Sequence, residues 1–161
     1  MSDMEKEKIF LTKEGLERLK KEWEELKKIK KAKSKGGVPE VFHSQEINPD
    51  YLVFQEDMRF LEDRLAELRF ILKNAKLIKA PPKERQHIVD LGATVTLEEP
   101  DGKINEFMIV STLEANPSEG KISFESPVGK ALFNKKVGDT VVITSPIKIT
   151  YKIKKVRYSD L

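Results

Sequence analysis

The feature that most limits how this chain can fold is an unbroken apolar repeat in its first half. Tyr51, Phe54, Met58, Leu61, Leu65, Leu68, Leu72 and Ala75 follow one another in steps of three and four, the spacing of one face of an α-helix. Asn48-Pro49-Asp50 supplies the start signal: an Asn cap, Pro at the first helical position and an acid in the first turn. A seam this narrow, sustained over about 28 residues and on the order of 40 Å, requires a second helix to cover it. Leu16, Leu19, Trp23 and Leu26 provide the matching seam upstream, with Thr12 as N-cap and Gly36-Gly37 as the stop.

The predicted architecture is therefore α+β, beginning with an antiparallel coiled-coil helical hairpin over residues 1–80 whose tip loop spans about 36–48. Most of its surface is polar, so it reads as a projecting arm. Phe60, Phe70 and Ile71 fall off the seam and are candidates for contact with a second domain. Residues 81–87 form a linker, because Pro81-Pro82 cannot extend a helix. Beyond it, over 88–161, the period changes to two. Thr94–Leu97, Glu106–Val110, Lys121–Phe124 and Thr140–Ile143 read as strands, with Pro100-Asp101-Gly102 as a turn. Ser126-Pro127 opens a short helix through Phe133. Ile147, Ile149, Tyr151 and Ile153 alternate with lysines and Thr150, giving a last strand with one buried and one basic face. This half is a small antiparallel β domain with one short helix.

Composition excludes several classes. Charged residues are 35% of the 161 and there is no cysteine, so disulfides and thiolate metal sites are absent. The charged N-terminus has no apolar signal core, and no apolar run nears the roughly 20 residues of a membrane span. A cytoplasmic protein with no membrane partner is expected. Lys27, Lys28, Lys30, Lys31, Lys33 and Lys35 form a tract without an acid, followed by Glu40, Glu46, Asp50, Glu56 and Asp57 without a base. The tract is either a solvated helix face or a track for a nucleic-acid backbone or an acidic protein channel. Pure lysine reads no base edges, so any such contact is non-specific.

Self-contained catalysis has no motif to stand on: there is no nucleophile elbow, phosphate loop or zinc helix. His43 and His87 are isolated, and Trp23 lies on the seam. Chemistry is confined to the tip, where Glu40, Glu46 and Asp50 are oxygen ligands of the kind Mg²⁺ takes singly or in pairs, completing its shell with water and substrate. No metal would be held stably there; the carboxylates become useful when delivered to a site that already holds metal and phosphate. The competing reading is that Glu46 and Asp50 complement the dipole of the second helix.

Three stretches resemble the C-terminal domain of bacterial Gre transcription elongation factors: Val89-Asp-Leu-Gly-Ala-Thr-Val-Thr-Leu97, Glu114-Ala-Asn-Pro-Ser-Glu-Gly-Lys-Ile-Ser123, and Ser126-Pro-Val-Gly-Lys-Ala-Leu-Phe-Asn-Lys-Lys-Val-Gly-Asp-Thr-Val141. Leu11-Thr-Lys-Glu-Gly-Leu-Glu-Arg-Leu19 and Asn74-Ala-Lys-Leu-Ile78 resemble the ends of the family's hairpin. The resemblance implies an FKBP-like second domain that docks at the secondary channel of bacterial RNA polymerase through Glu125, Ser126 and Pro127. It also implies that the hairpin enters the channel, where tip acids help hold the second Mg²⁺ as the polymerase cuts backtracked nascent RNA. The factor would then be an accessory protein, not an enzyme, with a monomer as the expected state. The tip departs from the pattern: aligning Asn48-Pro-Asp-Tyr51 on the family's Asn-Ala-Glu-Tyr puts Ser44 and Ile47 where carboxylates are expected. Glu46 with Asp50 or Glu40 is the candidate substitute. The alternative is a non-cleaving Gre-like regulator or inhibitor of the same channel; a third reading, from another class, is a coiled-coil adaptor or peptide-binding module.

Overall fold

The computed structural model describes residues 8–37, 42–43, 46–144 and 147–159, with the backbone alone at 42–43 and 46–47. In chain order its elements are β1 (Ile9–Leu11), α1 (Lys13–Lys35), β2 (Phe42–His43), β3 (Glu46–Ile47), α2 (Pro49–Asn74), β4 (Ala75–Leu77), β5 (Thr94–Glu98), β6 (Ile104–Val110), β7 (Lys121–Ser123), α3 (Pro127–Leu132), β8 (Thr140–Ile143) and β9 (Ile149–Arg157). Two compact units emerge: Leu16–Ala75, and Lys8–Gly15 with Lys76–Leu161.

Both long helices begin, and α1 ends, where local chemistry dictates. Thr12 Oγ1 accepts a hydrogen bond from Gly15 N at 3.0 Å, capping α1. At the other end Gly36 N donates to Ala32 O at 3.1 Å, and Gly37 follows at φ +84°, a conformation that favours glycine. Asn48 Oδ1 accepts from Asp50 N at 2.9 Å at the head of α2. The hairpin seam is thin: Leu19, Leu65 and Leu68 are buried, as is Ile71, which the spacing puts off the seam, while Trp23, Leu26, Phe54, Met58 and Leu61 remain half-buried. Ion pairs flank it. Arg64 donates to both oxygens of Glu22 at 2.6 and 2.9 Å, Lys33 meets Asp57 at 3.1 Å and Lys30 meets Glu62 at 3.7 Å. The hydrogen bond from Arg64 holds the Glu22 carboxyl below its ordinary range.

The second unit is built on a five-stranded sheet in the order β7-β6-β5-β9-β8. Its core is Val89, Ala93, Val95, Leu97, Ile109, Ile122, Leu132, Val141 and Ile153. All pairings are antiparallel except β6 with β7, which run parallel. The intervening 111–120 segment reverses direction through two short 3₁₀ turns, Thr112–Glu114 and Pro117–Glu119, so the chain re-enters the sheet with the same heading. α3 seals one end of the core. A Cβ at Gly129 would collide with Ser123 O and lie 2.9 Å from Phe124 Cα, so only glycine allows this approach. The β5–β9 register shifts between Thr96 and Leu97; the resulting bulge leaves Lys154 and Lys155 both exposed and interrupts the strict alternation expected of β9. Tyr158 OH donates to Ile88 O at 2.6 Å, and burial pushes its phenol up to about 12.

Several boundaries differ from the sequence reading. Lys8–Gly15 and Lys76–Ala80, grouped there with the hairpin, cluster with the sheet unit. β1 and β4 form a two-stranded sheet, Ile78 N donates to Leu11 O at 2.9 Å, and Leu11 is fully buried. The 81–87 linker contains a 3₁₀ turn, Lys83–Arg85. Ile147 is exposed and lies before the last strand, not within it.

Candidate functional site

The residues singled out in the sequence fall into three places, each described within its own unit. At the loop end of the hairpin, β2 pairs antiparallel with β3, placing His43 opposite Glu46 and Phe42 opposite Ile47. Glu46 and Ile47 are thus strand residues, and helical counting from Pro49 does not decide which of them faces which way. Asp50 lies in the first exposed turn of α2. Glu40, Val41 and Pro39 lie outside the described residues, as do the side chains of Phe42 and Glu46. Among the described residues no cluster of three His, Asp or Glu side chains forms a metal cage. Asp50 offers one exposed carboxylate, one oxygen donor of the several that Mg²⁺ takes.

The lysine tract divides in two. Lys27, Lys30 and Lys33 are engaged with Glu24, Glu62 and Asp57, and the Lys27 ammonium also sits 5.4 Å from the Trp23 ring centre. Lys30 and Lys33 bridge the two helices, whereas Lys27 is engaged within α1. Lys28, Lys31 and Lys35 are exposed and, at steps of three and four, share another face. They belong to none of the ion pairs found among the described residues. The tract that sequence alone presents as one block is therefore half structural and half available.

In the sheet unit, Ser126 caps α3: its Oγ accepts from Gly129 N at 3.1 Å and donates to Ser123 O at 2.7 Å. Glu125 and Pro127 are exposed. Glu125 is oriented by its own N–H donating to Ser123 Oγ at 3.0 Å and by Thr112 Oγ1 donating to its carboxylate at 3.1 Å. Beside it runs a groove of about 590 Å³ whose lining includes Phe10, Leu91, Leu113, Phe124 and Phe133. A fixed acid beside an apolar trough suits a protein surface offering an apolar side chain and a base.

Sequence reasoning missed one residue. Glu114, which it treats only as the first letter of a motif, is 2% exposed. Its carboxylate accepts from Thr12 N at 2.8 Å and from Thr12 Oγ1 at 2.5 Å, and a Cβ at Gly15 would collide with it. The helix cap is thus also a clamp, anchoring Lys8–Gly15 to the sheet unit across 102 residues of sequence. Nothing local announces it, since the partners are distant in the chain.

A helical hairpin with a short antiparallel β2–β3 pairing near its loop, followed in the chain by a five-stranded sheet with a capped helix, defines a two-part α+β protein. The family profile described as "Transcription elongation factor, GreA/GreB, C-term" matches residues 84–158, and "Transcription elongation factor, N-terminal" matches 9–77. The transcription elongation factor GreA of Thermomicrobium roseum is 39% identical over 145 residues, covering 89% of this chain and 92% of that protein. The GreA of Syntrophomonas wolfei subsp. wolfei is 38% identical over 156 residues, covering 94% and 98%. Among solved structures, the GreA factor homolog 1 protein of Thermus thermophilus aligns at 26% identity over 93% of this chain and 99% of that one, with a TM-score of 0.42. The chain belongs to the GreA/GreB family of transcription elongation factors.

Proposed function

We propose that this protein acts in the cytoplasm as a monomer on bacterial RNA polymerase, with its hairpin entering the secondary channel and its tip acids assisting the polymerase in cutting backtracked nascent RNA. The observation that carries this reading is the hairpin tip: the β2–β3 pairing and the first turn of α2 set Glu46 and the exposed Asp50 four residues apart at one end of a 26-residue helix. Glu46 and Asp50, with Glu40, are the ligands offered to a Mg²⁺ shared with the polymerase. That ion, when bound, would neutralise phosphate charge and orient the attacking water. Lys28, Lys31 and Lys35 contribute a salt-sensitive attraction for RNA or an acidic wall. Glu125, Ser126 and Pro127 grip the channel rim, with the neighbouring apolar groove excluding water around the contact.

A second reading, favoured by Ser44 and Ile47 standing where the family pattern has carboxylates, is a channel regulator that occupies the same site without stimulating cleavage. A backtracked-complex cleavage assay separates the two. Stimulation by the wild type that falls at least about tenfold in Glu46→Ala supports assisted cleavage. Binding without stimulation supports the regulator. Stimulation indifferent to the substitution removes Glu46 from the mechanism. In the same preparation, Glu125→Lys combined with Pro127→Ala should weaken polymerase binding while the protein stays folded; unchanged affinity would dismiss that surface.

A further inference from the structure

The outer face of α2 carries apolar side chains that nothing among the described residues covers. Phe60 is 69% exposed, Phe70 52% and Leu52 48%. A shallow groove of about 510 Å³ runs along this face between Leu52, Gln55, Glu56, Arg59, Phe60 and Asp63. At about 100° per residue, Leu52, Arg59, Asp63 and Phe70 fall within about 40° of one line, on the side of the helix opposite Leu61, Leu65, Leu68 and Leu72.

The order of side chains along that line identifies the partner. Leu52 and Phe70 are each nine residues from Leu61, and Arg59 and Asp63 are each two residues from it. Rotating the helix half a turn about an axis through the level of Leu61 therefore exchanges apolar with apolar and base with acid. An isologous contact has this form, in which one patch complements itself. In an antiparallel pair, Leu52 meets the second copy's Phe70 and Arg59 meets its Asp63, each contact occurring twice. Phe60, one residue from the axis, lies within about 3 Å of its own counterpart along the helix direction. Arg59 and Asp63 belong to none of the ion pairs found among the described residues of the hairpin, which join Glu24 to Lys27, Lys30 to Glu62, Lys33 to Asp57, and Arg64 to Glu22 and Glu67. One opposing element is present: Glu56 would approach the second copy's Glu67. Arg64 holds Glu67 at 3.0 Å and offsets its charge.

We propose that the free protein self-associates as a two-fold antiparallel dimer through this face of α2, masking Leu52, Phe60 and Phe70 while the factor is off its target. One helix-on-helix contact about 27 Å long is smaller than a standard interface, so the dimer dissociates on the order of 100 µM and yields to a tighter partner. The test is sedimentation equilibrium of the full chain without polymerase, from about 10 to 500 µM. The wild type should shift from monomer to dimer across this range. Arg59→Asp alone and Asp63→Arg alone should each weaken association at least about tenfold, and the two together should restore it to within about threefold. Both positions are exposed, so unchanged circular dichroism checks that the variants fold. A wild type that stays monomeric throughout overturns the dimer, as does a double variant that fails to recover. Single reversals that leave the free protein's state unchanged but alter polymerase affinity would also overturn it, assigning the face to the polymerase instead.

Discussion

In the hairpin unit, Leu19, Leu65, Leu68 and Ile71 are the buried apolar residues among those described, whereas the sheet unit encloses Val89, Val95, Leu97, Ile109, Leu132 and Ile153 at 0% exposure. The hairpin makes up part of the difference with flanking ion pairs, each of which contributes under about 1 kcal/mol at an exposed surface. The sheet unit relies on dry packing, where a lost side chain leaves a void that neighbours cannot fill. The comparison teaches that one chain divides its tasks physically: one part presents charge and apolar surface, and the other holds a fixed shape.

The contrast is most exposed to failure in the core. Leu97→Ala should cost about 3 kcal/mol of sheet-unit stability, whereas Phe60→Ala should stay within about 0.5 kcal/mol at low micromolar concentration. Amide exchange at β5 reads the first and fluorescence of Trp23, the single tryptophan, reads the second. Comparable losses would mean the exposed face carries stability after all. A smaller effect tests the clamp: Glu114→Ala leaves the Thr12 N–H and hydroxyl unpaired and should cost about 2 kcal/mol. Amide protection at Thr12 and Gly15 should fall with it; retained protection would show that the cap stands without the carboxylate.

The smallest effects distinguish the units by pH. Glu22 titrates below its ordinary value of 4.5 in the folded hairpin, so its pair contributes above that pH and is lost as pH falls through the lowered value. Tyr158 is raised from 10.0 to about 12, so its contribution is complete below 10 and is lost as pH rises toward 12. Acid should therefore loosen the hairpin first and alkali the sheet unit. Tyr158→Phe should remove that alkaline step while costing about 1 kcal/mol at neutral pH. An alkaline transition unchanged in the variant would point to another group.

Legibility followed the range of the interactions involved. Thr12, Asn48 and Ser126 were readable as caps because a cap depends on neighbours two or three residues away, and all three accept the expected backbone N–H. The hairpin seam was readable because its period lies in one stretch of chain. The tip was only partly so: a carboxylate's position shows its chemistry, but the β2–β3 pairing that places Glu46 depends on how the loop closes. Phe60, Phe70 and Ile71 all read as contact residues from their place off the seam, and Ile71 is buried while the two phenylalanines are exposed, a division that spacing alone does not predict.

By itself, then, the sequence determined the two long helices, their caps, the change of period after Pro81-Pro82 and the family resemblance, all consequences of local spacing. Only the tertiary structure decided that Lys8–Gly15 belongs with the sheet unit, that β6 and β7 run parallel, and that three lysines of the tract are engaged while three remain outward. It alone placed Glu114 on Thr12. Each of these depends on atoms far apart along the chain being brought within a few ångströms, and burial and pairing have no periodic signature before that happens.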